Sequence, residues 1–145
     1  MEAVGYADGA CEGNPGPAAY GGVLYAADGT GDCGHLLDTV SAHIGHGTNN
    51  QAEYEGAIAV CDAALRHGVT MLTLYLDSQL VVRQINGAYK VKSSTLRPLH
   101  TKLLGLLRTF DAYTISHVPR TQNRVADKLA GDALRLPPPS TSSHS

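Results

Sequence analysis

Val4, Tyr6 and Asp8 alternate with small residues, a period of two that predicts a strand. The cluster Gly13-Asn14-Pro15-Gly16-Pro17 behind them predicts a turn, so Asp8 is expected where a strand ends. Residues 19–26 continue as a second strand toward the hairpin signal Asp28-Gly29, and a weaker third strand is expected within residues 31–44. These three would form an antiparallel meander.

The period then changes. Thr48-Asn49-Asn50 offers capping side chains, and residues 51–67 are Ala-rich with Ala57, Cys61, Ala64 and Leu65 at helical spacing before the stop His67-Gly68. Glu53 is expected in the first turn, where the helix dipole alone would favour an acid. Residues 71–76 are apolar on both faces and suit the centre of a sheet; they end at Asp77-Ser78, followed by a helix over residues 79–86 that Asn86-Gly87 breaks. Strand, crossover and strand imply that the first and fourth strands pair in parallel, which puts Asp8 and Asp77 at neighbouring carboxyl ends. Residues 88–94 read as a basic loop and residues 96–109 as an amphipathic helix with Leu99, Leu103, Leu106 and Leu107 inward. Residues 113–118 form a fifth strand that Pro119 stops. Residues 123–135 return to helical spacing through Val125, Ala126, Leu129, Ala130 and Leu134, leaving Arg124 and Asp127 off the apolar stripe. The Pro/Ser segment 136–145 has nothing to bury and is expected to be disordered, which leaves residues 1–135 as one folded domain.

Composition narrows the class. No apolar run approaches a membrane span, and the start of the chain is not basic followed by apolar, so a soluble, cytoplasmic protein without membrane contact is expected. Cys11, Cys33 and Cys61 lack metal-type or redox-type spacing and read as small core or turn thiols in a reducing compartment. The net charge of −2 hides a division: residues 1–65 hold nine acids and no Lys or Arg, while residues 66–145 hold eleven bases and four acids. Such asymmetry fits an acidic cation site beside a basic surface for a polyanion.

Four acids are thus expected to converge: Asp8 and Asp77 from strand ends, Glu53 and Asp127 from helices. Unpaired, they would raise one another's pKa; a divalent cation removes that penalty. An all-oxygen donor set without His or Cys spacing favours Mg²⁺, with Mn²⁺ as substitute. Two such ions about 4 Å apart activate a water and stabilise a leaving oxygen in phosphodiester cleavage.

The strings YADGACEGNPGPAAYGG, GTNNQAEYEGAIAVCDAAL, LTLYLDSQLVVRQING and HVPRTQNRVADKLA resemble, in order and spacing, the four consecutive motifs of the type 1 ribonuclease H family. The resemblance covers about residues 2 to 135. It implies an α/β ribonuclease H-like fold: a five-stranded mixed sheet, strands 1–3 antiparallel and strands 1, 4 and 5 parallel, with helices on both faces. It also implies hydrolysis of the RNA strand of RNA/DNA hybrids with two Mg²⁺ ions, leaving 5′-phosphate and 3′-hydroxyl ends, by an enzyme expected to act as a monomer. Asp8 would bridge both ions, with Glu53 and Asp77 completing the leaving-group site and Asp127 the water-activating one. By the same matching, Asn14, Asn50 and Gln51 would read ribose hydroxyls across the minor groove, and Thr48 would hold a phosphate of the DNA strand. Asn14 as a turn residue and Thr48 as a helix cap are the structural alternatives.

Two departures from the family pattern stand out. Many members carry a mobile histidine on a longer loop before the last helix, whereas here the linker is Pro119-Arg120-Thr121-Gln122. Arg120 is the residue placed to reach the cleft, although an arginine cannot carry protons at neutral pH. His117, inside the strand, is expected to pack beside the last helix. The chain also lacks the Lys/Trp-rich protrusion of some members, keeping Lys90 and Lys92 there, which implies weaker hybrid binding. A non-catalytic hybrid-binding module would be missing a carboxylate, and none is missing. A strand transferase or resolvase would share the acids without needing the NPGP and TNNQAE segments.

Overall fold

A computed structural model describes residues 1–27 and 33–136. Strands β1 (Glu2–Cys11), β2 (Gly16–Ala27), β3 (Cys33–Gly47), β4 (Met71–Leu76) and β5 (Ala112–His117) form one sheet in the order β3-β2-β1-β4-β5. β1 pairs antiparallel with β2 and β2 with β3, while β1, β4 and β5 run parallel, as expected. Helices α1 (Asn49–Arg66), α2 (Gln79–Ile85), α3 (Leu96–Leu107) and α4 (Arg124–Arg135) complete the chain, with a 3₁₀ turn at Arg120–Gln122 before α4. No described helix is long and apolar enough to cross a membrane.

The two faces of β1 are covered by different helices. Its odd positions Ala3, Gly5, Ala7 and Gly9 face α1, because a Cβ at Gly5 would meet Val60 and one at Gly9 would meet the Glu53 backbone. The even position Asp8 pairs with Gly21 of β2, and a Cβ at Gly21 would fall into the α4 backbone at Ala126 and Ala130. Asp8 therefore projects on the α4 side. The core between sheet and α1, α2 and α3 is built from Leu24, Tyr54, Val60, Leu74, Leu76, Leu103 and Leu107, all buried. Within it the Tyr54 hydroxyl donates to Gln84 Oε1 at 2.6 Å, so this buried phenol is satisfied.

Several local expectations change. β1 runs past Asp8 to Cys11, so Asp8 lies within the strand and not at its end. α1 begins at Asn49, with Thr48 as N-cap in a capping box: Thr48 Oγ1 accepts from the Gln51 N–H (3.1 Å) and Gln51 Oε1 from the Thr48 N–H (2.7 Å). No acid lies in the first turn, which places Glu53 beyond the reach of the helix dipole. Val125 is 50% exposed, and the buried stripe of α4 is Ala126, Ala130 and Ala133, because only small side chains fit where the helix backbone meets Gly21. Cys33 is exposed at the start of β3. His117 is exposed at the end of β5 instead of packed beside α4. The expected turn at Asp28-Gly29 and the Pro/Ser tail beyond Leu136 lie outside the described residues.

Candidate active site

The parallel ladder of β1 and β4 ends at the pair Ala7 and Leu76, so Asp8 and Asp77 are the next residues on two adjacent strands. Glu53 arrives from the opposite side of the sheet. It can do so because Gly9 presents no side chain: a Cβ there would lie 2.6 Å from the Glu53 nitrogen. Asp8, Glu53 and Asp77 each bring a carboxylate oxygen within 4.8 Å of the others, with Asp8 and Glu53 both 3% exposed and Asp77 half-buried. The Gly9 N–H donates to both Asp8 Oδ1 (2.9 Å) and Glu53 Oε1 (3.0 Å), a fork that fixes the two acids against one peptide.

Asp127 and Arg120 border the same cavity of about 690 Å³, with Asn14 and Asn49 on its rim. Asp127 sits one turn into α4, its N–H donating to the Asn123 carbonyl at 3.0 Å. Arg120 Nη2 donates to Asp127 Oδ1 at 3.3 Å, and the arginine side chain is otherwise 79% exposed.

The electrostatics follow from burial. Burial pushes the Asp8 carboxyl far above the ordinary carboxylate range, and repulsion by Glu53 and Asp77 adds to it. Burial also raises Glu53; the Asp8 carboxyl as hydrogen-bond donor opposes that rise, Asp77 adds to it, and the Gly9 N–H and Arg120 oppose it. The two carboxyls titrate as an interacting pair, both held above the ordinary carboxylate range by burial. Asp127 is the main reason the Arg120 guanidinium is held above its usual value.

The donor set fits a hard divalent cation. Glu53 Oε2 is buried without a hydrogen-bond partner, a costly arrangement for a carboxylate oxygen that a cation would relieve. The donors are carboxylate oxygens throughout, the chemistry Mg²⁺ and Mn²⁺ prefer.

Of the residues expected to touch substrate, Asn14 stands between two cavities. It borders the carboxylate cleft and also a second cavity of about 300 Å³ lined by Thr48, Asn50 and Gln51. Asn14 Oδ1 accepts from the Asn49 N–H at 3.0 Å, which ties the turn after β1 to the start of α1. Thr48 and Gln51 close the capping box, so their structural role is filled as well as their place in the cavity. Sequence reasoning missed Ser93 and Thr95, which complete this second cavity from the loop before α3; small hydroxyls in a basic loop carry no periodic signal. It also missed Asn123, read as an ordinary helix residue: Asn123 is 1% exposed and its Nδ2 donates to the Ala7 carbonyl at 2.8 Å.

A family model described as reverse transcriptase-like matches residues 6–133. Ribonuclease HI of Halobacterium salinarum is 46% identical over 129 residues, covering 89% of this chain and 62% of that protein. Mycobacterial proteins at 42% identity are covered over 36% of their length, so the chain spans between about a third and two thirds of these curated relatives. Among solved structures, RNase H1 of Halobacterium salinarum NRC-1 superposes with a TM-score of 0.86 at 42% identity, covering 92% of this chain and 98% of that one. LC11-RNase H1, solved in complex with an RNA/DNA hybrid, gives 0.82 at 34% identity, covering 91% and 96%.

Proposed function

The chain belongs to the type 1 ribonuclease H family, and from that premise we propose that it is a metal-dependent endonuclease hydrolysing the RNA strand of RNA/DNA hybrids. The observation that carries this reading is the meeting of Asp8, Glu53 and Asp77 within 4.8 Å, with Glu53 Oε2 buried and unpartnered. Asp8, Glu53, Asp77 and Asp127 would hold two Mg²⁺ ions. When bound, the ions supply activation of the attacking water and neutralisation of charge on the departing oxygen. The water oxygen bonds to phosphorus, the bond from phosphorus to the 3′ oxygen breaks, and that oxygen takes a proton, which leaves 5′-phosphate and 3′-hydroxyl ends.

The protein's other groups bind and orient. Arg120, on the rim of the cleft beside Asp127, offers fixed positive charge to the scissile phosphate or the departing product. Asn14, Asn50 and Gln51 present amides to ribose 2′-hydroxyls, the feature that distinguishes an RNA backbone from DNA. Thr48, with Ser93 and Thr95 in the same cavity, takes a phosphate of the uncut DNA strand. Residues 1–135 serve as the catalytic unit, acting as a monomer.

The test is cleavage of end-labelled RNA/DNA, RNA/RNA and DNA/DNA duplexes with Mg²⁺, with Mn²⁺ and in chelator. Cutting of the RNA strand of the hybrid in the presence of either metal, and none in chelator, is the expected result. Cleavage of pure DNA duplex at equal rate would overturn the strand assignment, and full activity in chelator would overturn the metal dependence.

A further inference from the structure

We propose that Asn123 is a positioning residue that sets the place of Asp8 relative to Asp127, and so governs turnover without touching substrate or metal. The inference rests on the ribonuclease reading above for its kinetic arm alone. Asn123 stands at the N-cap of α4 but makes no side-chain cap to its own helix. A capping asparagine ordinarily stabilises its helix through that bond. Instead its Nδ2 reaches across 116 residues of sequence to the Ala7 carbonyl of β1 at 2.8 Å. The orientation of the amide is fixed by chemistry, because a carbonyl can only accept. The consequence is that Asn123 Oδ1 is left buried with no partner, one of two such side-chain atoms among the described residues. The other is Glu53 Oε2.

These two residues grip Asp8 from either side. The Ala7 carbonyl belongs to the peptide that precedes the Asp8 Cα, and the Gly9 N–H to the peptide that follows it. Asn123 from α4 holds the first; Glu53 from α1 holds the second at 3.0 Å. Both peptides flanking Asp8 are thus fastened by side chains from helices on opposite faces of the sheet. On the α4 side the fastening is direct, since the Asn123 carbonyl also accepts the N–H of Asp127 at 3.0 Å. One residue therefore joins the backbone of Asp8 to the backbone of Asp127. Ala7 is also the last residue of β1 paired with β4, so beyond it the parallel ladder no longer restrains the strand on that side.

Losing the bond leaves α4 anchored by Ala126 and Ala130 against Gly21 but frees the Ala7–Asp8 peptide to shift. Displacements of about 1 Å at a reacting centre cost on the order of 100-fold in rate. Asn123→Ser and Asn123→Ala separate this role from mere packing. Serine can cap α4 in the ordinary way while losing the reach to Ala7, so it retains the fold if alanine does not. Three quantities are measured on the full chain: kcat and KM on a hybrid at saturating Mg²⁺, the Mn²⁺ dissociation constant by calorimetry, and the melting temperature in chelator. Expected for Asn123→Ser are a kcat lower by about 10- to 100-fold, KM within about 2-fold, and weaker Mn²⁺ binding. Unchanged kcat and Mn²⁺ affinity alongside a lowered melting temperature would overturn the proposal and make Asn123 a packing residue. If the wild-type protein binds Mn²⁺ but does not cut hybrid, the ribonuclease reading fails, and the Mn²⁺ affinities of wild type and variant still decide the role of Asn123.

Discussion

Asp8 and Asp77 stand side by side because Ala7 and Leu76 are the last residues of β1 and β4 paired with each other, and each acid is the residue after that pair. Sheet register therefore brings the two acids to neighbouring positions, Asp8 within β1 and Asp77 in the bend directly after β4. A one-residue slip of β4 would turn Asp77 to the other face.

Asp8→Asn and Asp77→Asn should each lower hybrid cleavage by at least about 100-fold, a loss of more than about 2.7 kcal/mol of transition-state stabilisation. In chelator, Asp8→Asn should melt at a higher temperature than wild type, because a buried carboxylate beside Glu53 and Asp77 is replaced by a neutral amide. Steady-state rates and thermal melts check both halves. A variant that loses activity only in proportion to unfolding would contradict the assignment.

The pH dependence of stability follows from the same pair. Asp8 and Glu53 ionise near pH 4 in the unfolded chain but at higher pH when folded. The unfolded state thus releases protons first. The contribution of the pair is fully present below about pH 4 and is lost as pH rises through the raised folded values, by up to about 1.4 kcal/mol per pH unit for each group. Urea denaturation in chelator at several pH values should show the stability gap between Asp8→Asn and wild type widening with pH. A gap that does not change with pH would show the folded carboxyl to be unperturbed.

Arg120→Ala should reduce turnover by about 10- to 100-fold, about 1.4 to 2.7 kcal/mol, with little change in melting temperature, since the side chain is 79% exposed. His117→Ala should change neither quantity by much, because its side chain is exposed at the end of β5 and does not line the cleft. A catalytically dead yet stable His117→Ala would reverse the two assignments.

Replacing single riboses near the cut by deoxyribose should slow cleavage, and Gln51→Ala should blunt that penalty by removing one hydroxyl partner. The same substitution opens the capping box, with about 1 kcal/mol lost from the start of α1. Kinetics on substituted hybrids together with melts separate the two effects. An undiminished deoxyribose penalty in Gln51→Ala would remove Gln51 from ribose recognition.

The antiparallel meander of the first three strands and the parallel pairing of the first and fourth were legible in the sequence because they follow from period, turn signals and a strand–crossover–strand pattern. The tight turn Gly13 to Pro17 and the stop at Pro119 gave element ends to within a few residues. What remained hidden was set by contacts between distant segments. Val125 reads as core by spacing, yet the approach of α4 to Gly21 rotates the helix so that alanines face the sheet. Asn123 reads as a helix start, and its bond to Ala7 depends on two segments 116 residues apart meeting. His117 reads as buried by its β-branched neighbours, but the strand ends at an open edge.

The bare peptide at Gly9 ties the architecture of the sheet to its chemistry in a way that mutant libraries would expose. With the Glu53 nitrogen 2.6 Å from where a Cβ would stand, α1 cannot keep its depth if any other residue occupies position 9. A library randomised there should return glycine whether clones are chosen for solubility or for cleavage. One position earlier, the two screens should part company: solubility in the absence of metal would enrich asparagine over Asp8, and cleavage would restore the aspartate. Adjacent residues on one strand thus answer to different selective pressures, one shared by fold and function and the other dividing them.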